Sequence, residues 1–157
     1  MNRTVTVADW HELVKQGTVL PMHIPINGIS MYPLIRRNRD YVTIEPMEGI
    51  PEIGDIVLFA DPYSDLYVLH RVWKLDGDRV LTWGDNCENP DRWMTLDAVW
   101  GKAVLIERGR WKIHPKARRG IRWAKFWHPA GKAYRRGKNI MYAVGHRIKR
   151  LWKKDVR

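Results

Sequence analysis

Short runs of apolar residues with period-two spacing, separated by turn residues, dominate the first two thirds of the chain and predict strands. Tyr41-Val42-Thr43-Ile44 is one such run, and Asp55-Ile56-Val57-Leu58-Phe59 is another, entered from Gly54. Leu66 to Leu75 is longer, and Asp76-Gly77-Asp78 turns it back into Arg79-Val80-Leu81-Thr82-Trp83 as a hairpin. Ala98 to Ile106 is the last predicted strand, with Gly101 suited to a bulge. Val19 to Ile26 is extended but carries Pro21 and Pro25, which restrict it to an edge or irregular strand. Ahead of the strands the spacing is helical. Thr6 suits a cap, Asp9 a first turn and Gly17 a stop, with Trp10, Leu13 and Val14 on one face. Beyond Gly109 the helical spacing returns. Ile121 to Trp127 reads as a basic helix, broken at His128-Pro129-Ala130-Gly131, and Ala133 to Lys154 as a second. Tyr134, Met141, Val144, Ile148, Leu151 and Trp152 lie near one stripe of that second helix. The expected organisation is a mainly β body over residues 1–108 and a basic, Trp-rich, helical tail over residues 109–157.

Composition changes this picture in two ways. The 157 residues suffice for one domain with a real core. Cys87 is the single cysteine, so no intrachain disulfide can form, which fits a reducing compartment. No run of 18 apolar residues is present, so no transmembrane helix is expected. Met1 to Trp10 is polar and lacks the basic start and apolar core of a signal peptide. These features point to the cytoplasm or to a peripheral position on the membrane.

Charge divides the chain more sharply. Residues 1–107 hold 10 Lys and Arg against 16 Asp and Glu, a net of −6, whereas residues 108–157 hold 18 against one, a net of +17. The formal +11 therefore belongs to the tail. There Trp111, Trp123, Phe126, Trp127, Tyr134, Tyr142 and Trp152 are interleaved with cations, the composition of an interfacial helix on an anionic membrane surface. Packing against the body ranks slightly behind that reading, and nucleic-acid binding last. His11, His23, His114, His128 and His146 show no ligand spacing, so neither a metal nor a cofactor is expected.

The candidate chemistry lies in the body. Ser30 follows Gly28, which lets a substrate approach the backbone, and its hydroxyl is a candidate nucleophile, although a Ser in such a place more often caps a turn. His70 shares a strand face with Val68 and Val72 and is a candidate base. Asp85 and Asp91 flank a turn built of Gly84, Asn86, Asn89 and Pro90, and either carboxylate could orient an imidazole.

Taken together, four boxes resemble those of type I signal peptidases. Gly28-Ile29-Ser30-Met31-Tyr32-Pro33 is similar to the nucleophile box, and Gly54-Asp55-Ile56-Val57 to the Gly-Asp-hydrophobic strand. Val68-Leu69-His70-Arg71-Val72 is similar to the general-base box, and Leu81-Thr82-Trp83-Gly84-Asp85-Asn86 with Asp91 to the Gly-Asp-Asn segment. They span roughly Ile26 to Ile106. His70, where the common bacterial branch has Lys, resembles the endoplasmic-reticulum and sporulation-type branch. It also sets the chain apart from the self-cleaving repressors, which share the fold and use Ser and Lys. The resemblance implies coiled antiparallel β-sheets, with Ser30 as nucleophile, His70 as base, Asp91 as third catalytic acid and Asp85 as a supporting acid. It implies a peptide or precursor-protein substrate with small side chains at the −1 and −3 positions of the cut. Three departures stand out. The family's usual N-terminal membrane anchor is missing. Gly28 offers no side-chain oxyanion donor, which leaves the Ser30 N–H. Trp83 replaces the family's Lys before Gly-Asp-Asn, altering the rim. The expected activity is a serine endopeptidase; the alternatives are a non-catalytic peptide-binding module and a self-cleaving regulator associated with nucleic acid.

Overall fold

A computed structural model of the chain describes residues 5–17, 20–61, 66–131 and 133. The N-terminal helix α1, Val7–Lys15, forms as its sequence predicts: Thr6 Oγ1 accepts the Asp9 N–H while the Asp9 carboxylate accepts the Thr6 N–H, a capping box. Gly17, at φ 89°, ends it. Among the described residues eight strands follow: β1 Met22–Pro25, β2 Tyr41–Pro46, β3 Ile56–Ala60, β4 Tyr67–Asp76, β5 Arg79–Trp83, β6 Met94–Thr95, β7 Val99–Arg108 and β8 Trp111–Ile113. They form one antiparallel sheet, curled into half a barrel, in the order β1-β2-β7-β3-β4-β5-β6, with β8 also paired to β7. A helix over residues 117–131, here α2, closes the described chain. The molecule is thus mainly β with a helix near each end.

The proline-bearing segment forms β1 at one edge, where a missing N–H costs least. Gly77, at φ 58°, takes the first loop position of the β4–β5 hairpin, where Asp76 pairs with Arg79. The irregularity expected near Gly101 is present: the register against β3 steps from Val99 to Gly101. The glycine itself answers to packing, because a Cβ there would lie 2.9 Å from the Trp10 ring and 2.6 Å from the Glu45 carbonyl.

Strand alternation builds two cores. Ile56 and Leu58 of β3 join Trp10, Met31, Ile35, Val42, Ile44, Ala103 and Ile106 on one face. Val57 and Phe59 join Val72, Val80 and Val99 on the other. β3 is therefore buried on both sides, and each such side chain contributes about 1.5–3 kcal/mol.

The C-terminal part differs from its expected form. α2 runs through His128 and Pro129 instead of breaking there. Gly120, Ala124 and His128 recur every fourth residue and face the sheet. Ala124 is fully buried, and the His128 ring lies 3.9 Å from that of Trp83 and 5.2 Å from that of Trp73. This aromatic grip outweighs the hydrogen bond lost at proline. Gly120 and Gly54 mark the closest approach, since a Cβ on Gly120 would lie 2.2 Å from Arg71 Nη1 and one on Gly54 2.1 Å from the Ala117 carbonyl oxygen. The sheet also continues past Arg108 into β8. Apart from Ala133, the helix expected over residues 133–154 lies outside the described residues. Among the described residues no helix is long and apolar enough to cross a membrane.

Candidate active site

His70 is delivered by β4. Alternation puts it on the face of Val68 and Val72, which pack in the second core, while Leu69 packs in the first. Its ring is buried edge-on against Phe59, with centroids 6.0 Å apart. Nδ1 lies 2.6 Å from Asp91 Oδ2, and the same oxygen accepts the Thr82 hydroxyl at 2.6 Å. Thr82 pairs with Val72 across the hairpin and so shares the face of His70. The Asp91 N–H donates to the Thr82 carbonyl at 2.9 Å, which pins the returning loop to β5. Burial alone would lower the imidazole pKa. The hydrogen bonds and charge of Asp91, aided by Cys87, outweigh it and raise the value to about 9.

Asp85 serves a different partner. It is fully buried on the opposite face and accepts Arg71 Nε at 2.9 Å and Nη2 at 2.7 Å. Arg71 Nη1 donates to the Gly54 carbonyl at 2.8 Å, which joins the Gly-Asp strand to this pair. Of the two carboxylates that could orient the imidazole, Asp91 holds it and Asp85 holds Arg71.

Ser30 stands on a turn anchored by its neighbours. Met31 and Ile35 are buried in the first core, whereas Ile29 and Tyr32 are exposed. The far end of the loop is tied down by Asp40, which accepts Arg108 through Nε at 2.8 Å and Nη2 at 2.6 Å, and the Arg36 N–H at 2.8 Å. Burial would raise the pKa of Asp40, but these donors hold it below the ordinary range. The Asn86 N–H donates to the Ser30 carbonyl at 2.6 Å, and Asn86 Nδ2 donates to the Ile29 carbonyl at 3.2 Å. Through Asn86 the segment around Ser30 is clamped to the turn after Gly84. No hydrogen bond joins Ser30 Oγ to His70, and the Ser30 N–H makes none, among the described residues. A Cβ on Gly28 would meet open space.

The second ring nitrogen has another neighbour. His70 Nε2 lies 3.8 Å from Cys87 Sγ. Gly84 makes room for both, because a Cβ there would sit 2.6 Å from the sulfur and 2.7 Å from Nε2. Trp83 lies under α2, and its Nε1 donates to the Cys87 carbonyl at 3.1 Å, bracing this turn from behind.

Thr82, Asn86 and Cys87 carry no local sequence signal of the contacts they make here. Thr82 could have been found from the hairpin register, which puts it on the face of His70. Cys87 is the single cysteine and directly follows Gly-Asp-Asn. A pocket of about 300 Å³ lined by Pro21, Glu45, Pro46, Met47, Glu48 and Lys102 includes none of these residues. Among the described residues no cluster of three or more His, Cys, Asp or Glu side chains is disposed to hold a metal ion. No family model matches the chain, and no curated protein or solved structure matches it.

Proposed function

We propose that the chain is a serine endopeptidase that cleaves an extended precursor or leader peptide, in the manner of the Ser/His branch of type I signal peptidases. The 2.6 Å bond from His70 to Asp91 carries this reading, because it supplies a base with a fixed tautomer beside the turn whose Asn86 grips the Ser30 backbone. In the reaction Ser30 Oγ attacks the scissile carbonyl carbon and its proton passes to His70 Nε2. Asp91 stabilises the resulting imidazolium. The Ser30 N–H supports the oxyanion. His70 then protonates the leaving amine, and water, deprotonated by the same ring, releases the acyl group. A serine-directed acylating inhibitor is expected to add one acyl group at Ser30, read by mass spectrometry of the peptic peptides. Ser30→Ala takes up none. A wild-type protein that stays unmodified while still binding peptides would be a docking module instead, and a discrete fragment formed on incubation would point to self-cleavage.

We further propose an anionic membrane surface as partner and a cytoplasmic or membrane-peripheral location. Arg119, Arg122, Trp123 and Phe126 are exposed on the side of α2 facing away from the sheet, and Trp111 of β8 is also exposed. Such cations contribute about 1 kcal/mol each near anionic lipid. The protein should co-sediment with phosphatidylserine-containing vesicles, be released by high salt, and ignore phosphatidylcholine vesicles. Binding to neither lipid removes this assignment.

A further inference from the structure

Cys87 makes or breaks no bond in the proposed hydrolysis, yet its thiol shares a ring nitrogen with it. His70 is more than nine-tenths buried and its Nδ1 is taken by Asp91. Its Nε2 is aimed at Cys87 Sγ and has no other hydrogen-bond partner among the described residues. The sulfur is held there from three sides. The Cys87 N–H donates to the Gly84 carbonyl at 2.9 Å, the Cys87 carbonyl accepts Trp83 Nε1 at 3.1 Å, and the bare Cα of Gly84 leaves no gap for a side chain between sulfur and ring. The residue as a whole is half-buried. A thiol against an imidazole with a carboxylate behind it places a sulfur nucleophile beside a group that can assist it.

We propose that Cys87 is a modification site for soft carbon electrophiles, and that an adduct on its sulfur occupies the Nε2 face of His70 and silences Ser30. The silencing half rests on the hydrolase reading above; the reactivity of the thiol does not. With an alkyl iodide the sulfur lone pair forms the S–C bond, the C–I bond breaks, iodide leaves, and the thiol proton passes to solvent, or to the His70 ring at pH values where that ring is neutral. The bulk added at sulfur then lies where Ser30 must deliver its proton.

The test uses the full chain, iodoacetamide and the acylating inhibitor. Iodoacetamide should add once, at Cys87, at least tenfold faster than it adds to free glutathione at the same pH. His70→Gln and Asp91→Asn, each checked for folding by circular dichroism, should label at least tenfold more slowly than wild type. Alkylated wild type should lose Ser30 acylation at least tenfold, whereas Cys87→Ala should be acylated at the same rate with and without prior iodoacetamide. Equal labelling of wild type and both variants overturns the activation of the sulfur by His70, and unimpaired acylation after complete alkylation overturns the gate. If unlabelled wild type is not acylated at Ser30, the hydrolase reading fails, and the silencing with it. The labelling rates then still decide whether His70 activates the sulfur.

Discussion

Asp85→Ala is expected to destabilise the fold by about 3–5 kcal/mol, read as a lower urea midpoint with an unchanged slope. The Arg71 guanidinium is almost wholly buried and spends two of its donors on Asp85 and one on the Gly54 carbonyl. Removing the carboxylate leaves a buried cation with no counter-charge, and such a charge is far more costly than an absent pair. A typical domain has only about 5–15 kcal/mol to lose. α2 packs on the same guanidinium at Gly120, so the helix should loosen together with the sheet. Replacing both partners, as Arg71→Met with Asp85→Leu, should recover much of the loss, because the charge to be neutralised is gone. A midpoint shift in Asp85→Ala worth less than about 1 kcal/mol would refute the pairing as a determinant of stability.

That Asp85 belongs to Arg71 was not legible from sequence, and the reason is instructive. Asp85 and Asp91 both stand in a turn of Gly, Asn and Pro, where carboxylates are ordinary. Only the alternation of β4, with His70 and Arg71 on opposite faces, assigns one acid to each, and that depends on knowing that Arg71 is buried. The strands themselves were readable, since period-two runs and the Gly77 hairpin are local signals. The capping box of Thr6 and Asp9 is likewise local. β6 and β8, two and three residues long, leave too short a pattern to detect. The passage of α2 through Pro129 depends on Trp73 and Trp83, more than forty residues upstream, holding His128, and no local rule contains that contact. The pairing of His70 with Asp91 was one of the two pairings that the turn allowed. The thiol on Nε2 was not legible, because a side chain following a turn carries no sign of where it points.

Hydrolysis by this chain should rise with pH up to about 9 and then level off. With its pKa raised to about 9, the His70 ring is protonated at pH 7, and a protonated ring cannot take the Ser30 proton. The neutral fraction grows about tenfold per pH unit, so the rate should climb about a hundredfold between pH 7 and pH 10. Stability should move the opposite way. Below pH 6.5 the ring is charged in both folded and unfolded chains, and its pairing with Asp91 contributes fully. As the pH passes upward through about 9 the folded ring loses its proton and that contribution, up to about 3 kcal/mol, disappears. Thermal melts across this range should therefore fall while activity increases. Asp91→Asn separates the two effects of the carboxylate. Without its charge the buried ring titrates at lower pH, so the midpoint of the rate profile should move down by more than one unit. The plateau rate should also drop about 10²–10⁴-fold, because the tautomer that presents Nε2 as acceptor is no longer held. A wild-type profile flat from pH 7 to pH 10, or an unchanged midpoint in Asp91→Asn, would make the bond between His70 and Asp91 a structural ion pair and remove His70 from the reaction.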